Sequence, residues 1–360
     1  MSTTISTVST LQTLLSRRRM AANLQEQFMQ ASQEVSTGTK TDVYGSLGAR
    51  AAETLALRAR MDRNAGLMSS NDMLANRLET MADTLGSMRN TAQNFLNLAI
   101  VNRDAPGATS EPIQSAALTA LEQLLPRVNA TYHGMALFAG IDTDQRALMG
   151  WDEVNPQTGL SPRAVVEGVI GGGIVNAADA AAKVAEMETI FASADAVQPA
   201  RNFEATFYNG TPAIYPDGTI PPRQTAHIDE GISLPYGVQA NDAAFTDLLR
   251  GLSMLAGMDP NDITDPDAYR TWVGSAVDAV SRGLEGLIET EARLGGQQQV
   301  LDETIDAQTD RNVLYNSQIL SLEGVDPYEA ASRMSQLQTQ LEATYAVTAR
   351  LSNLSFLNFM

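Results

Sequence analysis

At 360 residues the chain is long enough for two or three compact units, and its 44% hydrophobic and 18% charged residues are those of an ordered protein. Only 6% of the residues are aromatic, while Ala, Leu, Met, Gln and Asn abound, a balance that suits long helices better than a large globular core. The net charge of -18 is uneven, with 11 Lys and Arg against 8 Asp and Glu through Arg103 and 13 against 34 beyond it, which argues against nucleic acid or anionic membrane as a partner.

Residues 1 to 10 are rich in Ser and Thr and read as irregular. From Leu11 a helix begins whose apolar stripe is Leu14, Ala21, Phe28 and Val35 with Leu24 and Ala31, and Thr37-Gly38-Thr39 ends it. Arg17-Arg18-Arg19, the one basic run, reads as a solvated face of that helix. Lys40 to Ala49 is turn-like, and a second helix follows to about Asn102 with two interleaved heptad series. One is Leu57, Asn64, Asn71, Leu78, Leu85, Ala92 and Ala99; the other is Leu67, Leu74, Met81, Met88 and Phe95. Polar residues at such positions set register at some cost in stability. Ser110-Glu111-Pro112 starts a third helix with Ile113, Ala117, Leu121, Leu124, Val128 and Tyr132 on one face and Pro126 as a kink.

Residues 141 to 244 change character, with dense turn signals such as Asn155-Pro156, Gly171-Gly172-Gly173 and Pro221-Pro222. A short helix fits Ala177 to Ala194, a strand fits Phe203 to Tyr208, and further strand fits Gln224 to Leu234. Helical spacing returns after Asn241 at Phe245, Leu248, Leu249, Leu252 and Leu255. From Pro266 the longest seam runs unbroken through Val273, Val280, Leu287, Leu294, Leu301, Gln308, Tyr315 and Leu322. Leu284, Glu291, Gln298, Ile305, Asn312 and Ile319 lie between them, and Gly324 closes it. Asp326-Pro327-Tyr328-Glu329 caps a last helix carrying Met334, Leu337, Leu341, Thr344, Thr348 and Leu351.

The fold class expected is mainly α: a long antiparallel helical bundle or coiled coil made from both chain ends, with a small α/β or β-rich domain inserted in the middle. Its divisions are 1–45 with 325–360 as a terminal coiled-coil assembly domain, 46–140 with 245–324 as a long-helix bundle, and 141–244 as the insertion. The ending Leu354-Ser355-Phe356-Leu357-Asn358-Phe359-Met360 needs a partner, because each such side chain left in water forfeits about 1.5 to 3 kcal/mol.

No chemistry surfaces from the same reading. The absence of cysteine excludes disulfides, thiolate zinc sites and thiol catalysis. His133 and His227 have no ligand-spaced neighbours, and Gly168 to Gly173 lacks the residues that follow a phosphate-binding loop. Asp259, Asn261, Asp262, Asp265 and Asp267 form an acidic loop, but Thr264 stands where an EF-hand needs glycine. No catalytic residue, cofactor or metal is expected, and the protein reads as no enzyme. There is no run of about 18 apolar residues to span a membrane and no cleavable signal at the N-terminus, which leaves export by another route open.

Five segments carry a resemblance. Glu34-Val35-Ser36-Thr37-Gly38-Thr39-Lys40, Leu137-Phe138-Ala139-Gly140, Leu294-Gly295-Gly296-Gln297-Gln298, Ser321 to Ala330 and Leu351 to Met360 resemble the bacterial flagellin superfamily, and within it the flagellar hook-filament junction proteins, hook-associated protein 3. The family's Asp-Asp-Pro after the glycine turn is replaced by Asp42-Val43-Tyr44-Gly45, and the Leu-Leu-Arg ending common in filament flagellins is absent. The resemblance implies a structural adaptor joining hook to filament, exported through the flagellar pathway with a flagellar export chaperone and located outside the cell. It implies as partners further copies of the chain in a ring, hook-associated protein 1 and flagellin, and no nucleic acid or membrane. The expected assembly seam is Leu14, Leu24, Phe28, Leu341, Tyr345, Leu351, Leu354, Phe356 and Leu357. The alternatives are a flagellin of the filament itself and a cytoplasmic coiled-coil scaffold.

Overall fold

A computed structural model describes residues 4–104 and 111–357. The chain is 70% helical. Its elements in order are α1 (Thr4–Thr37), α2 (Val43–Leu47), α3 (Ala51–Val101), α4 (Glu111–Val128), β1 (Thr131–Tyr132), β2 (Met135–Ala136), α5 (Pro162–Ile170), α6 (Ala177–Phe191), β3 (Thr225–Asp229), β4 (Ile232–Pro235), α7 (Ala243–Ala256), α8 (Pro266–Glu323) and α9 (Pro327–Leu357). The chain divides into two compact units, one built from residues 1–66 and 307–360, the other from 67–306, and α3 and α8 contribute to both.

In the first unit α1 and α9 pack against each other, as do the first turns of α3 and the last of α8. α1 already begins at Thr4, so the expected irregular stretch over residues 1 to 10 is corrected from that point on. The Ser/Thr composition there lowers helix propensity, a weak preference that tertiary context overrides. The heptad seam holds: Leu57 and Ile319 are buried, and Asn64 is buried with its amide donating to the Gln308 carbonyl at 2.7 Å and to Asn312 Oδ1 at 2.9 Å. α3 and α8 therefore run antiparallel here, residue 58 meeting 323 and residue 64 meeting 308 and 312.

The second unit holds one continuous apolar core. Leu78, Met81, Leu85, Met88 and Ala92 of α3 face Val273, Val280, Leu287, Leu294 and Leu301 of α8, all without solvent exposure, and Ile113, Ala117, Leu121 and Leu124 of α4 close the other side. Glu291, read as a seam residue, lies beside Arg89, whose Nε is 3.2 and 3.1 Å from the two carboxylate oxygens. Ser110, expected to cap α4, lies outside the described residues. α4 contains Pro126 and stops two residues later, so Tyr132, expected on its face, belongs instead to β1. The β1–β2 turn explains the change: His133 and Gly134 both take positive φ (50° and 79°), a conformation no helix accommodates.

The inserted region is small and mixed, with α5, α6 and the antiparallel pair β3–β4. The strand expected over Phe203 to Tyr208 is instead a turn of π-helix at Phe203–Phe207, closed by the Tyr208 N–H on the Phe203 carbonyl at 2.9 Å. Its alternation was misleading because burial, not alternation, decides the geometry. Phe203, Thr206 and Phe207 point inward together, and the two rings stack at 5.4 Å beside Phe191. The glycine run ends α5, with Gly171 and Gly173 at positive φ and Lys183 donating to the carbonyls of Ile170 and Gly173. In the acidic loop, Asp259 and Asp265 accept from backbone amides two residues on and serve as caps.

α7 meets α8 through glycine. A Cβ at Gly283 would stand 2.5 Å from the Leu248 backbone nitrogen, and one at Gly286 would stand 2.8 Å from Ala244 Cβ. Replacing Gly283 by Ala is expected to lower stability by about 1–3 kcal/mol through overpacking, although alanine gains about 1 kcal/mol in helix propensity. Thermal unfolding checks this, since an unchanged or raised midpoint would mean that the two helices can part without cost.

Candidate assembly interface

The place where the chain ends converge is built from short signals. Gly38 at φ 71° turns the chain out of α1, donating to the Glu34 carbonyl at 2.9 Å. Thr39 then pairs with Gly324 as an antiparallel bridge: the Lys40 N–H donates to the Glu323 carbonyl at 2.8 Å and the Val325 N–H to the Gly38 carbonyl at 3.1 Å. Asp42, at the position where the sequence departs from the family pattern, caps α2 by accepting from the Gly45 N–H at 2.8 Å. Asp326 caps α9 in the same way, accepting from the Tyr328 N–H at 2.8 Å.

From this shared base α1 and α9 run antiparallel, with Arg333 3.7 Å from Glu34. Ala31, Ala330 and Leu341 are buried between them, and Leu24, Phe28, Met334 and Leu337 are half-buried. Of the residues expected in the assembly seam, Leu24, Phe28 and Leu341 thus lie on the paired faces, whereas Tyr345 is 53% exposed. The side chains of Leu14, Leu351, Leu354, Phe356 and Leu357 lie outside the described residues. Large apolar side chains stand exposed along this unit: Leu15, Met20 and Met29 on α1, Val313, Leu314 and Leu320 on α8, Tyr328 and Val347 on α9. A groove of about 980 Å³ runs along α1 beside Leu15, Arg19, Met20 and Leu24.

The grouping of three charged residues at the base escaped the sequence reading, although Lys40 and Glu323 lie in segments that carry the resemblance. The Glu323 side chain, 3% exposed, receives Arg58 in a two-point bond, Nε to Oε1 at 3.1 Å and Nη2 to Oε2 at 2.5 Å. That hydrogen bonding raises the Arg58 pKa above its ordinary value, so the guanidinium stays charged. Lys40 donates its ammonium to the Leu322 carbonyl at 3.2 Å. A signal was present: an acid as the last residue of a helix opposes the negative end of the helix dipole and calls for a nearby cation.

Among the described residues no group of three or more His, Cys, Asp or Glu is placed to hold a metal, and no helix is long and apolar enough to cross a membrane. The arrangement belongs to a class of proteins in which the two chain ends fold together as one helical unit and the middle of the chain forms another.

Comparison with known families agrees. Residues 8–143 match the bacterial flagellin N-terminal helical region and residues 277–360 match the bacterial flagellin C-terminal helical region, together well over half of the chain. The chain belongs to the bacterial flagellin family. Among solved structures it is similar to a Vibrio parahaemolyticus protein assigned as a flagellar hook-associated protein, with 11% identity and a TM-score of 0.50 over 77% of this chain and 98% of that one. At that identity the likeness concerns the fold. No curated protein matches the chain in sequence.

Gly324 is required by contact, since a Cβ there would stand 2.5 Å from the Leu320 carbonyl oxygen that its own N–H binds. Gly324→Ala is expected to cost about 1–3 kcal/mol by displacing that carbonyl. Gly295→Ala, where nothing lies within 4 Å, is expected to gain up to about 1 kcal/mol. Paired denaturation curves check the contrast, and equal effects would remove the steric account.

Proposed function

We propose that this flagellar structural protein is the adaptor between hook and filament, assembling with further copies of itself through its terminal helices. In this reading it is exported to the cell exterior with a flagellar chaperone and seats flagellin on one side and hook-associated protein 1 on the other. Residues 1–45 with 325–360 act as the assembly domain, 46–140 with 245–324 as the bundle that carries it, and 141–244 as an insertion. The protein acts by contact and performs no catalysis.

One observation carries the assembly role. The first unit holds a third of the chain yet nearly half of the large apolar side chains that stand exposed among the described residues. Such a surface marks an interaction site. The junction position rests on the two C-terminal segments, Ser321 to Ala330 and Leu351 to Met360, whose pattern is similar to that of the junction proteins. The second reading, a subunit of the filament itself, is favoured by the match of both ends to regions defined on flagellin.

Immunogold electron microscopy with antibody to residues 141–244 separates the two. Label confined to the point where hook meets filament is the expected result, and label along the filament would make the chain a flagellin. The seam itself is tested by Leu354→Ser, Phe356→Ser and Leu357→Ser together. Each change forfeits about 1.5–3 kcal/mol of burial on assembly. The second unit is expected to melt unchanged while incorporation into flagella is lost, and normal incorporation would refute the seam.

A further inference from the structure

The second unit carries 13 basic residues against 32 acidic, so two copies of it brought side by side repel except where both surfaces lack charge. Two places on it meet that condition. The first is a groove of about 460 Å³ between α3 and α4, walled by Thr91, Phe95 and Leu98 on one side and by Ala116, Thr119 and Ala120 on the other. None of the described residues lining it is charged. The two threonine hydroxyls bond within their own helices, Thr91 to the Ser87 carbonyl at 3.2 Å and Thr119 to the Ser115 carbonyl at 2.8 Å, which leaves the walls little to offer a polar ligand. Leu98 is exposed, and Val101, one turn further along the same face of α3, is 82% exposed.

The second place is a finger formed by residues 212–222. Its turn is closed by the Tyr215 N–H on the Thr219 carbonyl and the Gly218 N–H on the Tyr215 carbonyl, both at 2.8 Å. The Asp217 carboxylate accepts from the Thr219 N–H at 2.9 Å and from its hydroxyl at 2.6 Å. Pro212, Pro216, Pro221 and Pro222 restrict the backbone further. The root is tied down by the Thr211 N–H on the Ala139 carbonyl and the Ala213 N–H on Glu204 Oε1, each at 2.9 Å. A loop fixed in this way nevertheless holds Ile214 and Ile220 in water, 59% and 80% exposed. Apolar side chains on a pre-shaped loop give up little further freedom on docking.

We propose that the finger of one copy docks in the α3–α4 groove of the next, so that Ile214 and Ile220 are buried against Phe95, Leu98 and the small residues of α4. The one charge on the finger, Asp217, stands at its tip and is already held by Thr219. Groove and finger are different patches of one surface, so the contact is head to tail and repeats from copy to copy, as the contacts of a ring or helical array do. It brings two acidic units together at uncharged spots and leaves the rest of their surface in water. The inference rests on the assembly reading above and adds to it a contact outside the terminal helices.

The chain contains no cysteine, so introduced ones report alone. Flagella of a strain lacking the protein are built from an equal mixture of full-length Leu98→Cys and Ile220→Cys copies and treated with a short bismaleimide. The expected product is a dimer of unlike copies, with neither variant joining to itself. Separately, Thr119→Glu and Ile220→Asp, both at exposed positions, are expected to leave the thermal midpoint of the monomer unchanged. Each is expected to lower incorporation about tenfold or more, the scale of one isoleucine left unburied. Should either charged variant fold poorly, the crosslink decides.

Incorporated copies that give no mixed dimer overturn the contact, and so does normal incorporation of both charged variants. Dimers of Leu98→Cys with itself would replace it by a symmetric contact, and loss with Thr119→Glu alone would give the groove to another partner. Failure of the assembly reading looks different: the wild-type chain is then not recovered from flagella in more than one copy.

Discussion

A helix leaves its last four carbonyls without partners, and in the first unit this constraint governs how the chain turns from α8 into α9. Most helices close with a residue of their own. α8 closes with Lys40, some 280 residues earlier, and with a two-residue bridge to the end of α1. The consequence is topological, because a helix end completed by the other end of the chain ties the two ends to each other. The buried Glu323 makes the tie specific. A buried carboxylate without a cation is costly, so the arrangement that brings Arg58 within reach is strongly favoured over neighbouring ones.

A second constraint acts along the helices. A seam of Leu, Met and Val between long helices is tolerant of sliding by a heptad, since one apolar layer resembles the next. Asn64 removes that freedom in the first unit by directing its amide at Gln308 and Asn312, whereas Asn71, in the second, donates to the Ile228 carbonyl of β3 at 2.8 Å and so fixes α3 against that strand. These polar positions cost burial energy and return a single register. Glu291, paired across the seam with Arg89, fits the same logic.

Much of this was legible in the sequence. The bounds of α8 follow from Asp265-Pro266 and Gly324, its buried face follows from the heptads, and the polar seam residues sit where the spacing put them. The pairing of the chain ends was legible for the same reason: two helices with narrow apolar stripes need each other. What failed was local and short. Phe203 to Tyr208 alternates like a strand, but two aromatic rings, Phe203 and Phe207, gathering on Phe191 outweigh a six-residue pattern. α5 went unread although Ser161-Pro162 announces it with a side-chain cap and an N1 proline, because the glycines and prolines around it suggested only turns. The grouping of Lys40, Arg58 and Glu323 could not be read from spacing, since the three are near neighbours only after the chain has folded back on itself.

Charge and burial divide between the units in a way that bears on assembly. The first unit carries 11 basic and 10 acidic residues, the second 13 and 32. A unit of net charge near zero can approach copies of itself with little electrostatic cost, and its exposed Met20, Met29, Val313 and Tyr345 gain by doing so. A unit of net charge near -19 cannot be crowded in the same way without bound counterions, and it holds the large apolar core of the chain. The division assigns the two tasks of such a protein, cohesion and contact with water, to different stretches of one chain.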